Sequence, residues 1–126
     1  MNDDQHHDHA GHAHAVSESE ELRDIAEVSS VEIITSACVH LMSAAAVKVG
    51  LAEDEETGRY QDLAEARKLI NALAGLVTAA APEIGNEHAR SLRDGLRSLQ
   101  LAFAEALPFP DDPGQAPGEK YTGRVS

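Results

Sequence analysis

Residues 62–85 read DLAEARKLINALAGLVTAAAPEIG, and their apolar spacing is that of a helix. Leu63, Ala66, Ile70, Leu73, Val77 and Ala80 recur at intervals of 3, 4, 3, 4 and 3, and Leu69 and Leu76 widen the stripe. A helix turns once every 3.6 residues, so this rhythm gathers apolar side chains on one face; a half-buried strand would alternate instead. The helix is expected to start near Asp62. Pro82 is expected to stop it, because proline lacks the N–H that the helical ladder requires.

The neighbouring segments repeat the pattern. Downstream, Asn86 is a suitable N-cap for a helix whose core stripe is Leu92, Leu96, Leu99, Phe103 and Ala106, closed by Pro108. The connection 82–85 is short, which predicts antiparallel packing of these two helices. Upstream, Ser29 and Glu32 have capping-box spacing, in which each side chain satisfies an N–H at the helix start. Val31, Ile34, Cys38, Leu41 and Ala45 follow at intervals of 3, 4, 3 and 4, and Gly50 ends the helix. Ile33, Ala37, Ala44 and Val47 form a second apolar row, so the sector is wide and predicts burial on more than one side.

The fold expected is therefore all-α: a small three-helix bundle over residues 29–107. Those 79 residues are few for a self-sufficient core. The first helix also carries the small residues Ser36, Ala37, Ser43, Ala44, Ala45 and Ala46, which permit close backbone approach. A homodimer through the first helix is the expectation. The same features also suit the central helix of a compact monomer.

The flanks differ in chemistry. Residues 1–28 hold eight acids, one base and five of the seven histidines, without sustained apolar periodicity. They read as a disordered, acidic, His-rich head, with a short helix over about 19–27 suggested by the Ser17 and Glu20 spacing. Residues 108–126 hold four of the five prolines and three glycines, which forbid a continuous helix and predict a disordered, extended tail.

Composition narrows the function. The chain has 126 residues, which bounds it to one domain, and a net charge of -12, which opposes binding to DNA or to an anionic membrane. Aromatics at 3% give no stacking platform for single-stranded nucleic acid. One cysteine excludes an intrachain disulfide. The longest uncharged run, residues 33–47, has fifteen residues and spans about 22 Å as a helix, short of a hydrocarbon core of about 30 Å. No secretory leader is legible in the first fifteen residues, so a cytoplasmic location is expected.

Four features carry candidate chemistry. His6, His7, His9, His12 and His14, flanked by Asp3, Asp4 and Asp8, supply neutral imidazoles and carboxylates suited to Zn, Ni or Cu. They equally form a solvating tract that binds metal incidentally. Arg90, Arg93 and Arg97, spaced by 3 and 4, line one helix face extended by Asn86 and Gln100, suited to an acidic peptide or a phosphate backbone. Glu87 and Asp94 lie within pairing distance in sequence, which makes the same row an ordinary solvated face. An alternative use of the row is docking of the chain's own acidic residues 18–27. In the tail, Lys120, Tyr121 and Arg124 would anchor a protein partner, unless the tail is passive or packs on its own bundle through Phe109.

The fourth feature is Cys38 with His40. Two residues apart on a helix, their side chains project about 200° apart and cannot pair as nucleophile and base. Cys38 reads as a core residue and His88 as an exposed one. Glu53, Asp54, Glu55 and Glu56 lack the alternating ligands of a calcium loop. No nucleotide-binding or nucleophile motif is present, so neither an enzyme nor a cofactor is expected.

The runs VEIITSACVHLMSAAAVKVGL, DLAEARKLINALAGLVTAAAPEIG, LRDGLRSLQLAFAEA and the tail segment PGQAPGEKYTG resemble the actinobacterial branch of the bacterial family called domain of unknown function 1844. The resemblance implies a small, mostly helical, cytosolic protein with no established activity or cofactor. Relatives often carry Asp where this chain has Asn71. Genes of the family in actinobacteria often lie beside those for a translation initiation factor and two large-subunit ribosomal proteins, which implies a link to translation. The resulting expectation is a cytosolic interaction module, with metal binding by the His tract as the alternative.

Overall fold

The computed structural model describes residues 18–23, 25–51 and 60–125. Among the described residues the architecture is all-α, with no strand. Three long helices, α1 (Ser30–Val49), α2 (Leu63–Ile84) and α3 (Asn86–Ala106), are followed by a short α4 (Glu119–Thr122). Residues 18–23 and 25–27 are also helical, where a short helix over about 19–27 is expected, and α4 is a helix beyond the expected bundle of three. The chain divides into two compact units, Met1–Ile33 and Ile34–Ser126.

In the first unit the described residues before α1 are exposed. Ser29 Oγ accepts from the Glu32 N–H at 3.2 Å, so the anticipated cap forms. The acidic run at 53–56 lies outside the described residues.

The core of the second unit is an α2–α3 hairpin. α2 packs against α3, and Ile70, Leu73 and Val77 of α2 and Leu92, Leu96, Leu99 and Phe103 of α3 are all buried. Burying a side chain of this size contributes about 1.5–3 kcal/mol. The Arg67 guanidinium, near the start of α2, lies 5.0 Å from the centre of the Phe103 ring, near the end of α3. The two helices are therefore antiparallel, joined by Gly85 alone.

Two boundaries differ from the expectation. α2 starts as anticipated, with Asp62 accepting from the Glu65 N–H at 3.2 Å, but it runs through Pro82. Proline there removes one ladder bond near the helix end, and burial of Ile84 at 4% exposure holds the last turn in place. Asn86 is the first helical residue of α3, not its cap; Gly85, at φ 93°, occupies that position.

In the second unit α1 buries Cys38, Ala45 and Val49. Gly50, at φ 94°, receives the bond pattern of a Schellman end: its N–H reaches Val47 O at 3.1 Å and the Leu51 N–H reaches Ala46 O at 3.0 Å. The Asp62 N–H donates to Lys48 O at 2.8 Å and Gln61 Nε2 to Val49 O at 2.9 Å, tying the end of α1 to the start of α2. A Cβ on Gly95 of α3 would lie 2.7 Å from Met42 Sδ, so α1 and α3 approach at a residue without a side chain. The expected burial of both apolar rows of α1 is not met within the chain: Ile33, Ala37 and Val47 are exposed.

Candidate functional site

Residues 108–125 are folded onto the hairpin, which corrects the expectation of a disordered tail. Arg67 grips Asp111 with two bonds from one nitrogen, at 2.9 and 3.2 Å. Asn71 Oδ1 accepts from the Gly118 N–H at 2.7 Å. Gln100, buried at 5% exposure, donates to Pro117 O and to Thr122 Oγ1, both at 3.1 Å. The Glu119 carboxylate, also buried, accepts from the Ala116 N–H at 3.2 Å and the Val125 N–H at 2.8 Å.

The reason is satisfaction of backbone polar groups. A non-helical segment can be buried only where its N–H and C=O groups find partners, and Asn71, Gln100 and Glu119 supply them. Gly118 has φ 82°, and a Cβ there would lie 2.8 Å from Gln100 Nε2 and 3.0 Å from Ala74 Cβ. Only glycine meets both demands at low cost. Phe109, the anticipated packing residue, is 82% exposed; Pro117 is the side chain that is fully buried.

The folded tail completes a groove of about 310 Å³ with α2 and α3. Arg93 and Arg97 contribute from α3, and Tyr121 and Arg124 from the tail. Val77, Leu96 and Val125 supply apolar wall, and Thr78 and Thr122 supply hydroxyls. No Asp or Glu is among the described residues lining it, although the chain carries 22 of them. The Tyr121 ring lies against α2 where Gly75 leaves room: a Cβ there would sit 3.2 Å from Tyr121 Cζ.

Of the six residues anticipated for partner binding, four thus meet in one groove. Arg90 is exposed on α3 outside the lining. Lys120 also lies outside it, with its ammonium 5.1 Å from the centre of the Tyr121 ring. Gln100, expected to extend the exposed Arg row, is instead buried. Arg67, Asn71, Asp111 and Glu119 position the tail and were not anticipated; the Arg67–Asp111 pair spans 44 residues, beyond the reach of any local spacing rule.

A second surface lies along the outward side of α1, where Thr35, Ser36, Val39, His40 and Ser43 line a shallow depression. By length and composition α1 is long and apolar enough to cross a membrane, and 11% of its apolar window is buried. The core helix of a soluble protein passes the same test. Cys38 is fully buried on the opposite side, and burial pushes its thiol pKa up. His40 and His88 are exposed. Among the described residues no group of three or more His, Cys, Asp or Glu side chains is placed to hold a metal ion. His6, His7, His9, His12 and His14 lie outside the described residues.

These observations define a class: a small all-α protein whose helical hairpin carries a folded tail and an arginine-lined groove. The chain belongs to the family described as domain of unknown function (DUF1844), whose model matches residues 30–105. The matched span takes in α1, α2 and nearly all of α3, and ends before α4. No curated protein and no solved structure matches the chain.

Proposed function

We propose that this protein is a non-enzymatic, cytoplasmic interaction module that binds an acidic segment of a partner protein in the groove between α2, α3 and the tail. The observation that carries the reading is the convergence of Arg93, Arg97, Tyr121 and Arg124, from segments far apart in sequence, on a chain whose net charge is -12. Guanidinium groups pair with carboxylates in a two-pronged geometry, and an apolar wall lets the bound chain bury its aliphatic stems. The gene neighbourhood noted with the family resemblance makes translation the process in which to seek the partner.

The test is anisotropy of a labelled glutamate-rich peptide titrated with the full chain at low ionic strength. Saturable binding that weakens with salt and is lost in an Arg93→Glu, Arg124→Glu double variant supports the reading. Absence of binding, or binding indifferent to those substitutions, overturns it.

The same reading assigns the outward face of α1 to a second copy of the chain. Ile33, Val39 and Val47 are exposed there beside Ser36 and Ser43, which favours close pairing of helices. Metal binding by the His tract is the alternative role; its spacing of imidazoles and carboxylates favours it, and a zinc titration of the full chain against one lacking residues 1–15 decides it.

A further inference from the structure

Resting on the reading of the groove as a binding site, we infer that its arginine lining is built for a phosphate monoester, a dianion on a small organic body. The guanidinium-bearing residues at the groove come from two separate segments, α3 and the tail after α4, and the described lining contains no carboxylate. A carboxylate presents one negative charge and two oxygens. A phosphate monoester presents close to two charges at neutral pH and three acceptor oxygens, and so engages guanidinium groups approaching from different directions. Arg93 and Arg124 line the groove from separate segments, one a helix and one the irregular stretch after α4.

The remainder of the groove suits the organic part of such a ligand. Val77, Leu96 and the Tyr121 ring offer apolar contact, and Thr78 offers a hydroxyl. A volume of about 310 Å³ is at the lower end for small-molecule sites, and it admits a phosphate with a ring or short chain. The position of the tail is set by buried side chains, so the site is formed before the ligand arrives. Gln100 is already committed to Pro117 O and Thr122 Oγ1 and acts as a positioning residue for the tail.

The experiment follows backbone amide resonances of the full chain during titration with phenyl phosphate, and separately with phenylacetate and a glutamate-rich peptide. The inference expects saturable shifts confined to residues near 93–97 and 121–125, with phenylacetate weaker by about tenfold or more. Arg93→Glu and Arg124→Glu should each weaken phenyl phosphate by about tenfold, while Arg90→Glu, an equal change of charge outside the groove, leaves it unaltered. Circular dichroism of each variant verifies that the helices persist, and Arg93→Lys and Arg124→Lys serve as milder replacements if a reversal unfolds the chain. No saturable shift, equal binding of phenylacetate, or equal weakening by Arg90→Glu overturns the phosphate inference. Binding of the acidic peptide without phenyl phosphate overturns it while leaving the interaction-module reading in place; failure of all three ligands overturns both.

Discussion

Asn71 shows how one side chain commits a whole segment. Its Oδ1 meets the Gly118 N–H at 2.7 Å, and removing an acceptor from a partly buried N–H costs the desolvation of that group. Asn71→Leu is expected to lower stability by about 1–3 kcal/mol in urea unfolding. Asn71→Asp retains an oxygen acceptor and should lose less; equal losses for the two variants would contradict the assignment. Cys38 offers an independent check at this scale. It is fully buried and its thiol pKa is raised, so a disulfide reagent should modify the native protein at least about tenfold more slowly than the urea-unfolded chain. Because the folded thiol holds its proton more tightly than the unfolded one, its contribution to stability is present below the ordinary value of 9.0 and is lost as pH rises from there through the raised folded value.

At the scale of the element, the tail is the part that changes most between a reading of composition and the folded state. Prolines at 108, 110, 113 and 117 rule out a long helix, and that conclusion holds, since only the four residues of α4 are helical there. What proline content does not specify is whether partners exist for the backbone groups of an irregular segment. They do, on α2 and α3. A chain ending at residue 107 is therefore expected to unfold at lower urea than the full chain and to lose affinity for the acidic peptide. Retention of both properties would place the binding surface elsewhere. Within the hairpin, Leu73→Ala should cost about 2–5 kcal/mol in urea unfolding, because Leu73 has no exposed surface and its loss leaves a cavity between α2 and α3.

For the whole molecule, the unburied row on α1 sets the expected behaviour in solution. Apolar residues exposed along a face of small side chains favour self-association. Sedimentation equilibrium is expected to give twice the chain mass of 13.4 kDa, and Val39→Glu should halve that value without loss of helix content. A wild-type mass of one chain would remove the second copy from the reading while leaving the groove, which lies on α2, α3 and the tail, unaffected.

The periodic positions are legible in the sequence. Ile70, Leu73, Val77, Leu92, Leu96, Leu99 and Phe103 are buried where 3.6-residue spacing puts them, because local backbone geometry alone decides which side chains share a helix face. The cap at Ser29 and the termination at Gly50 follow from equally local rules. Gln100 was not legible, since a polar residue on a helix edge is buried only if a distant segment brings it partners. The groove was legible only in halves: Arg93 and Arg97 as one row, Tyr121 and Arg124 as part of a separate tail. Which carbonyl Gln100 would meet, and which N–H Asn71 would accept, depend on pairings across 17 and 47 residues. Such pairings are selected by the packing of the entire unit, and that selection is what makes two unrelated stretches of sequence into one site.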